Sequence, residues 1–271
     1  SDSVSQITIL SLYLLSAGAF TASRLPRFES RARPLHIVAF VLGATGAVMH
    51  GQAIFGLILP RYGFDLTIGN AVALIGFELA VIGLIAALEP TLRGISGGLI
   101  FLAAITVLLM GSSGDTIDSA SLSWQVRAHV LIALLSYGLL TVGAIVALFA
   151  LVQERRLQAA RISPINHLFA PLETTERLLY GVAGAGFAGL TLAIASGSLF
   201  VNDLLEQHLA HKFGLSLLAW LVFSILLAGR FFRGWRGKRA VKLYLGGFAL
   251  LCLAYFGSRF ILEEIFQRSW G

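Results

Sequence analysis

Eight long apolar runs, joined by short polar connections, constrain this 271-residue chain more than any other feature. They lie at roughly 5–23, 34–57, 67–88, 94–111, 124–151, 176–201, 209–229 and 240–262. A bilayer-crossing helix needs about 20 mostly apolar residues, and each run approaches or exceeds that length. The runs are rich in Leu, Ala, Ile and Gly and lack the alternation of barrel strands, which are about 10 residues long. The expected fold is therefore all-α: a polytopic membrane protein with a bundle of eight transmembrane helices, forming a single domain over 1–271. Composition agrees, with 57% hydrophobic and 13% charged residues, against about 25% charged in soluble domains. It excludes a soluble enzyme, a disordered tail and a nucleic-acid binder. The lone cysteine, Cys252, excludes a disulfide scaffold. The first run has only Asp2 before it and no basic residue, so a retained helix is expected rather than a cleaved leader.

Charge placement gives the expected topology. Of the 20 Lys and Arg residues, five (Arg61, Arg127, Lys212, Arg259 and Arg268) fall on the side reached by the even-numbered connections and the C-terminus. The other fifteen fall after runs 1, 3, 5 and 7. Basic loops stay in the cytoplasm, so both termini are expected outside; a bacterial inner membrane fits, with an organellar one as the alternative. Those loops face anionic lipid rather than nucleic acid. In run 6, Ala185/Gly189 and Ala193/Gly197 are small pairs suited to close packing within the bundle. Glu173-Thr174-Thr175-Glu176 suggests that helix 6 starts there, with Thr174 or Thr175 as its N-cap.

Ionisable groups inside a span are costly and call for a reason. His50 falls about 10 Å below the outer edge and His129 about 8 Å, from a 1.5 Å rise per residue. His211 and Lys212 sit close to that edge. Positions three, four and seven away from His50 are Gly43, Gly46 and Ala47; those near His129 include Ala133, Ser136 and Gly143. Such small faces leave room for a flat group beside each imidazole. Two neutral imidazoles can hold a haem iron, and Arg127, Lys212 and Arg259 fall where propionates would need cations. Spacing alone equally fits two histidines that only hydrogen-bond to neighbouring helices. His36, His167 and His208 read as surface residues, and Glu78 as a mid-span acid of open role. No CxxCH, P-loop, GxSxG or HExxH is present.

His129-Val130 followed by Ser136-Tyr137-Gly138-Leu139-Leu140 resembles a segment of the cytochrome c assembly membrane proteins, the CcsA/CcmC and HemX-like group. Trp220–Gly229, the Gly234-Trp235-Arg236-Gly237-Lys238-Arg239 loop and Ala254-Tyr255-Phe256-Gly257-Ser258-Arg259 resemble its small YpjD-type branch. The resemblance implies haem handling, with His50 matching the early in-span histidine and His129 the first outer one. The family's Trp-rich external segment and its two later histidines have no counterpart here. It thus implies a single b-type haem on His50 and His129, with His211 as a third ligand or propionate contact. The implied role is an accessory haem-binding or assembly subunit rather than a turnover enzyme, working with haem, membrane lipid and other membrane assembly or respiratory subunits. Two other readings stay open: a haem-free scaffold or ion- or metabolite-linked regulator centred on Glu78, and a quinol-linked redox protein.

Overall fold

The computed structural model describes residues 2–58, 68–111, 123–159, 171–200 and 207–254. Among these residues the chain is helical and contains no strand. The helices are α1 (Asp2–Ser23), α2 (Ala32–Ile58), α3 (Ile68–Ala87), α4 (Arg93–Val107), α5 (Trp124–Gln158), α6 (Leu172–Phe200), α7 (Gln207–Arg233) and α8 (Lys238–Cys252). Seven of them, α1 to α7, provide segments long and apolar enough to cross a membrane. The chain is a multi-pass membrane protein. For the eighth expected span, α8 accounts for the part up to Cys252, and the remainder to 262 lies outside the described helices, most of it outside the described residues.

Prolines set two of the breaks. After α1 the chain turns through a 3-10 segment, Pro26–Arg31, because proline cannot continue the preceding hydrogen-bond ladder. Glu89 is extended (φ −86, ψ 116), as a residue before proline prefers, and Pro90–Leu92 then leads into α4. Helix α6 begins after Pro171, earlier than the sequence suggests. Thr174 and Thr175 lie inside its first turn, where both backbone N–H groups reach the Pro171 carbonyl. Thr175 is buried and donates to Gln153 on α5 at 3.3 Å, so it ties two helices together instead of capping one.

The chain divides into two compact units, residues 1–122 with 152–178, and residues 123–151 with 179–271. In the first unit α1 packs on α2 and α4, and α3 packs on α2 and α4, giving a closed four-helix ring. Helices in lipid gain little from hydrophobic exclusion and adhere through close packing and polar contacts. Accordingly, the Ser16 hydroxyl donates to the Ala39 carbonyl at 2.6 Å, and Gly97 brings α4 against Thr21 and the Ala17 carbonyl of α1. At the opposite end Gln6 of α1 donates to the Met110 carbonyl, and the Gly111 N–H donates to Asn70 of α3 at 3.0 Å.

The second unit is held by the same kind of contact. Ser136 of α5 donates to the Gly186 carbonyl of α6 at 2.8 Å, and Tyr244 of α8 donates to the Leu140 carbonyl of α5 at 2.9 Å. Trp220 of α7 stacks on Phe187 of α6 (5.5 Å) and donates to Thr191. Phe223 and Tyr244 meet edge-on at 5.1 Å, joining α7 to α8. The turn between α7 and α8 is built around Trp235. Gly234 adopts a left-handed φ of 64, which ends α7, and the Trp235 N–H returns to the Gly229 carbonyl. The Trp235 ring covers Gly229, where any side chain would collide with it. Arg239 lies 3.7 Å from the ring centroid, and the Tyr180 hydroxyl donates to the Trp235 carbonyl at 2.9 Å. Trp235→Ala is expected to loosen this turn by about 1–2 kcal/mol. Limited trypsin digestion should then cleave faster among Arg236, Lys238 and Arg239 than in the parent, and equal rates would contradict the assignment.

Candidate functional site

His50 lies on α2, eight residues before the helix end, and has no exposed surface. Its ring is enclosed within the first unit. Tyr13 of α1 stands edge-on at 5.6 Å, and its hydroxyl shares a 3.1 Å hydrogen bond with His50 Nδ1. Phe77 of α3 stands nearly perpendicular at 6.1 Å. His50 Nε2 is buried and has no hydrogen-bond partner among the described residues. A buried polar atom without a partner is uncommon and calls for an explanation. One nitrogen held by a neighbour and the other left with an unused lone pair is the usual state of a metal-binding histidine.

The second centre is His129, near the start of α5 and half-buried. Its Nδ1 lies 2.9 Å from Ser196 Oγ on α6. Ser196 donates its own proton to the Ala193 carbonyl at 3.1 Å. In the tautomer that donates to Ser196, the imidazole carries its proton on Nδ1 and keeps the Nε2 lone pair. Gly197 lies under the ring; a Cβ there would come within 3.1 Å of His129 Cε1. Among the other predicted residues, Lys212 of α7 is half-buried and within electrostatic reach of His129. Arg127 is half-buried two residues before His129, hence on a different face of α5. The side chain of His211 and the whole of Arg259 lie outside the described residues.

The small faces do not serve as expected. Gly43 receives Ser16, Leu84 and Ile100, and Gly46 receives the Tyr13 ring. Ser136 is bonded to α6, and Gly143 is covered by Tyr244. Neighbouring helices fill these faces because close packing is what holds helices together in lipid. These faces hold no ready-made slot for a flat group, and what the site offers a ligand is the ring nitrogens themselves. No cluster of three or more His, Cys, Asp or Glu suited to a bare metal ion occurs among the described residues. A haem iron needs only one or two protein donors, which matches isolated imidazoles better.

Sequence reasoning misses Tyr13 and Ser196, the partners of the two rings. Tyr13 sits 37 positions from His50 and Ser196 sits 67 from His129, so no local spacing signals either pair. His36 also departs from its surface reading. It lies half-buried between Phe20 (5.6 Å) and Phe40 (6.4 Å), with Nδ1 buried and unpartnered among the described residues. Glu78 of α3 is buried, and its Oε2 likewise has no partner among them. His167 and the side chain of His208 lie outside the described residues.

Several known proteins are similar to this chain. The inner membrane protein YpjD of Escherichia coli (strain K12) is 33% identical over 137 residues, covering 51% of this chain and 52% of that protein. An uncharacterized 28.8 kDa protein of Azospirillum brasilense is 28% identical over 169 residues, covering 62% of each. The cytochrome c biogenesis protein CcsA of Guillardia theta is 25% identical over 178 residues, covering 59% of each. The chain thus spans 52% to 62% of the length of these relatives. No solved structure matches it. The model of the cytochrome c assembly protein family matches residues 9–266, nearly the whole chain, and the chain belongs to that family.

Proposed function

We propose that this protein handles haem in a bacterial inner membrane, with both termini outside. In this reading it holds b-type haem near the outer face, and His50 and His129 supply the iron ligands. It acts as an accessory subunit of cytochrome c assembly rather than as a turnover enzyme. Family membership supports the haem connection. The observation that carries the site is the buried Nε2 of His50, without a partner among the described residues, behind an Nδ1 already held by Tyr13. His129 supports it through the Ser196 hydroxyl, which lies 2.9 Å from its Nδ1. Lys212, Arg127, His211 and Arg259 are the residues available to propionates, and Lys212 has the best support through its proximity to His129.

When bound, the haem supplies a one-electron iron couple and strong visible absorption. The protein's own residues hold the ring tautomers, exclude water from His50 and provide cations. The Tyr13 oxygen accepts a hydrogen bond from His50 Nδ1–H in the ligating state, leaving Nε2 free to donate its lone pair. Detergent-solubilised wild type is expected to show a red-shifted Soret band and a reduced α band. Absence of both bands, before and after addition of haemin, would overturn the reading. A second reading is a haem-free, ion- or metabolite-linked regulator, favoured by the buried and unpartnered Glu78 carboxyl oxygen. Iron analysis alongside the spectrum separates the two.

A further inference from the structure

One end of the first unit gathers basic side chains that the haem reading does not use. Arg24 follows α1, His36 lies in the first turns of α2, and Arg93 opens α4. Arg93 is within electrostatic reach of both Arg24 and His36. Glu89 acts on this group through Arg93. Two nitrogens at this end are buried without a partner among the described residues, Nδ1 of His36 and Nε of Arg93. Like charges gathered at one place repel one another, and a buried N–H without an acceptor, such as that of Arg93 Nε, is costly. An oxyanion answers both needs, since it neutralises the charge and accepts several N–H groups at once.

We propose that this end of α1, α2 and α4 binds a phosphate group, carried by the head group of an anionic phospholipid. The guanidinium of Arg93 presents a planar fork whose geometry suits phosphate oxygens. The membrane-crossing segments of α1, α2 and α4 end or begin at Ser23, Pro26 and Pro90, so the basic groups sit at head-group level. Phe40, half-buried beside His36, offers an apolar surface to the first part of an acyl chain. The site stands apart from His50, fourteen residues further along α2, and does not depend on haem.

The test uses native mass spectrometry on the full chain released from vesicles of phosphatidylglycerol or of phosphatidylcholine. Wild type should retain one phosphatidylglycerol in preference to phosphatidylcholine. Arg93→Gln and His36→Gln should each lower that retention about tenfold, the effect of losing one charge-assisted hydrogen bond. Arg93→Lys, which keeps the charge but loses the fork, should fall between. Arg33→Gln, on an exposed position of α2, should retain lipid as the parent does. Inorganic phosphate is added as a competitor. Displacement by phosphate would overturn the lipid assignment in favour of a free anion, and persistence of the lipid supports it. Equal retention of the two lipids by wild type, or undiminished retention by both Arg93→Gln and His36→Gln, would overturn the site. Should Arg93→Gln misfold, His36→Gln and the wild-type lipid comparison still decide.

Discussion

His50→Ala should strip most of the haem absorbance from the purified protein, and His129→Ala should do the same or leave an altered, high-spin spectrum. The effect is large because an axial imidazole is a direct iron bond. Partner substitutions should grade the loss. Tyr13→Phe and Ser196→Ala remove the groups that hold Nδ1, and such changes typically cost about 10–100-fold in affinity. Haemin titration followed at the Soret band measures this directly. His208→Ala serves as the control. Rescue of His50→Gly by free imidazole would separate a lost ligand from a lost fold. Full occupancy with an unchanged spectrum in both alanine variants would remove the ligand assignment.

Gly143→Leu should unfold or open the second unit. Tyr244 lies over Gly143, and its hydroxyl donates to the Leu140 carbonyl one turn earlier. A leucine would displace the ring, break that bond and disturb the edge-on contact with Phe223. Overpacking costs about 1–3 kcal/mol, and a stranded buried hydroxyl about 1–3 kcal/mol more. Denaturant titration in detergent should show an earlier transition, together with loss of the near-ultraviolet signal of Tyr244 and its neighbours. Gly181→Leu is the matched control, because nothing lies within 4 Å of a Cβ at Gly181. Equal midpoints for the two variants would show that α5 and α8 are not joined there.

Much of this architecture is readable directly from the amino acids. Seven of the eight expected runs coincide with membrane-length helices, because 18 or more apolar residues leave few folding options. Boundaries are less legible. The tetrad at Glu173 to Glu176 reads as a helix start, yet Pro171 opens the helix and Thr175 serves a contact with Gln153. Small residues beside His50 and His129 read as space, and are where Ser16, Tyr13 and Tyr244 enter. A glycine face reads the same whether a helix or a ligand covers it. The histidines themselves are identifiable as costly buried groups. Their partners are not, since Tyr13 and Ser196 meet them only through the tertiary fold. His36 reads as a surface residue because its position near a basic loop conceals Phe20 and Phe40 on either side.

The enclosure of His50 also bears on timing. A ring with no exposed surface, walled by Tyr13 from α1 and Phe77 from α3, is not reached by a bulky guest colliding from outside. Entry requires those walls to part, so the rate of loading follows how often the helices breathe rather than how much guest is supplied. Once seated, the same walls delay escape. Uptake should therefore saturate with concentration and release should be slow, the behaviour of a reservoir rather than a conduit.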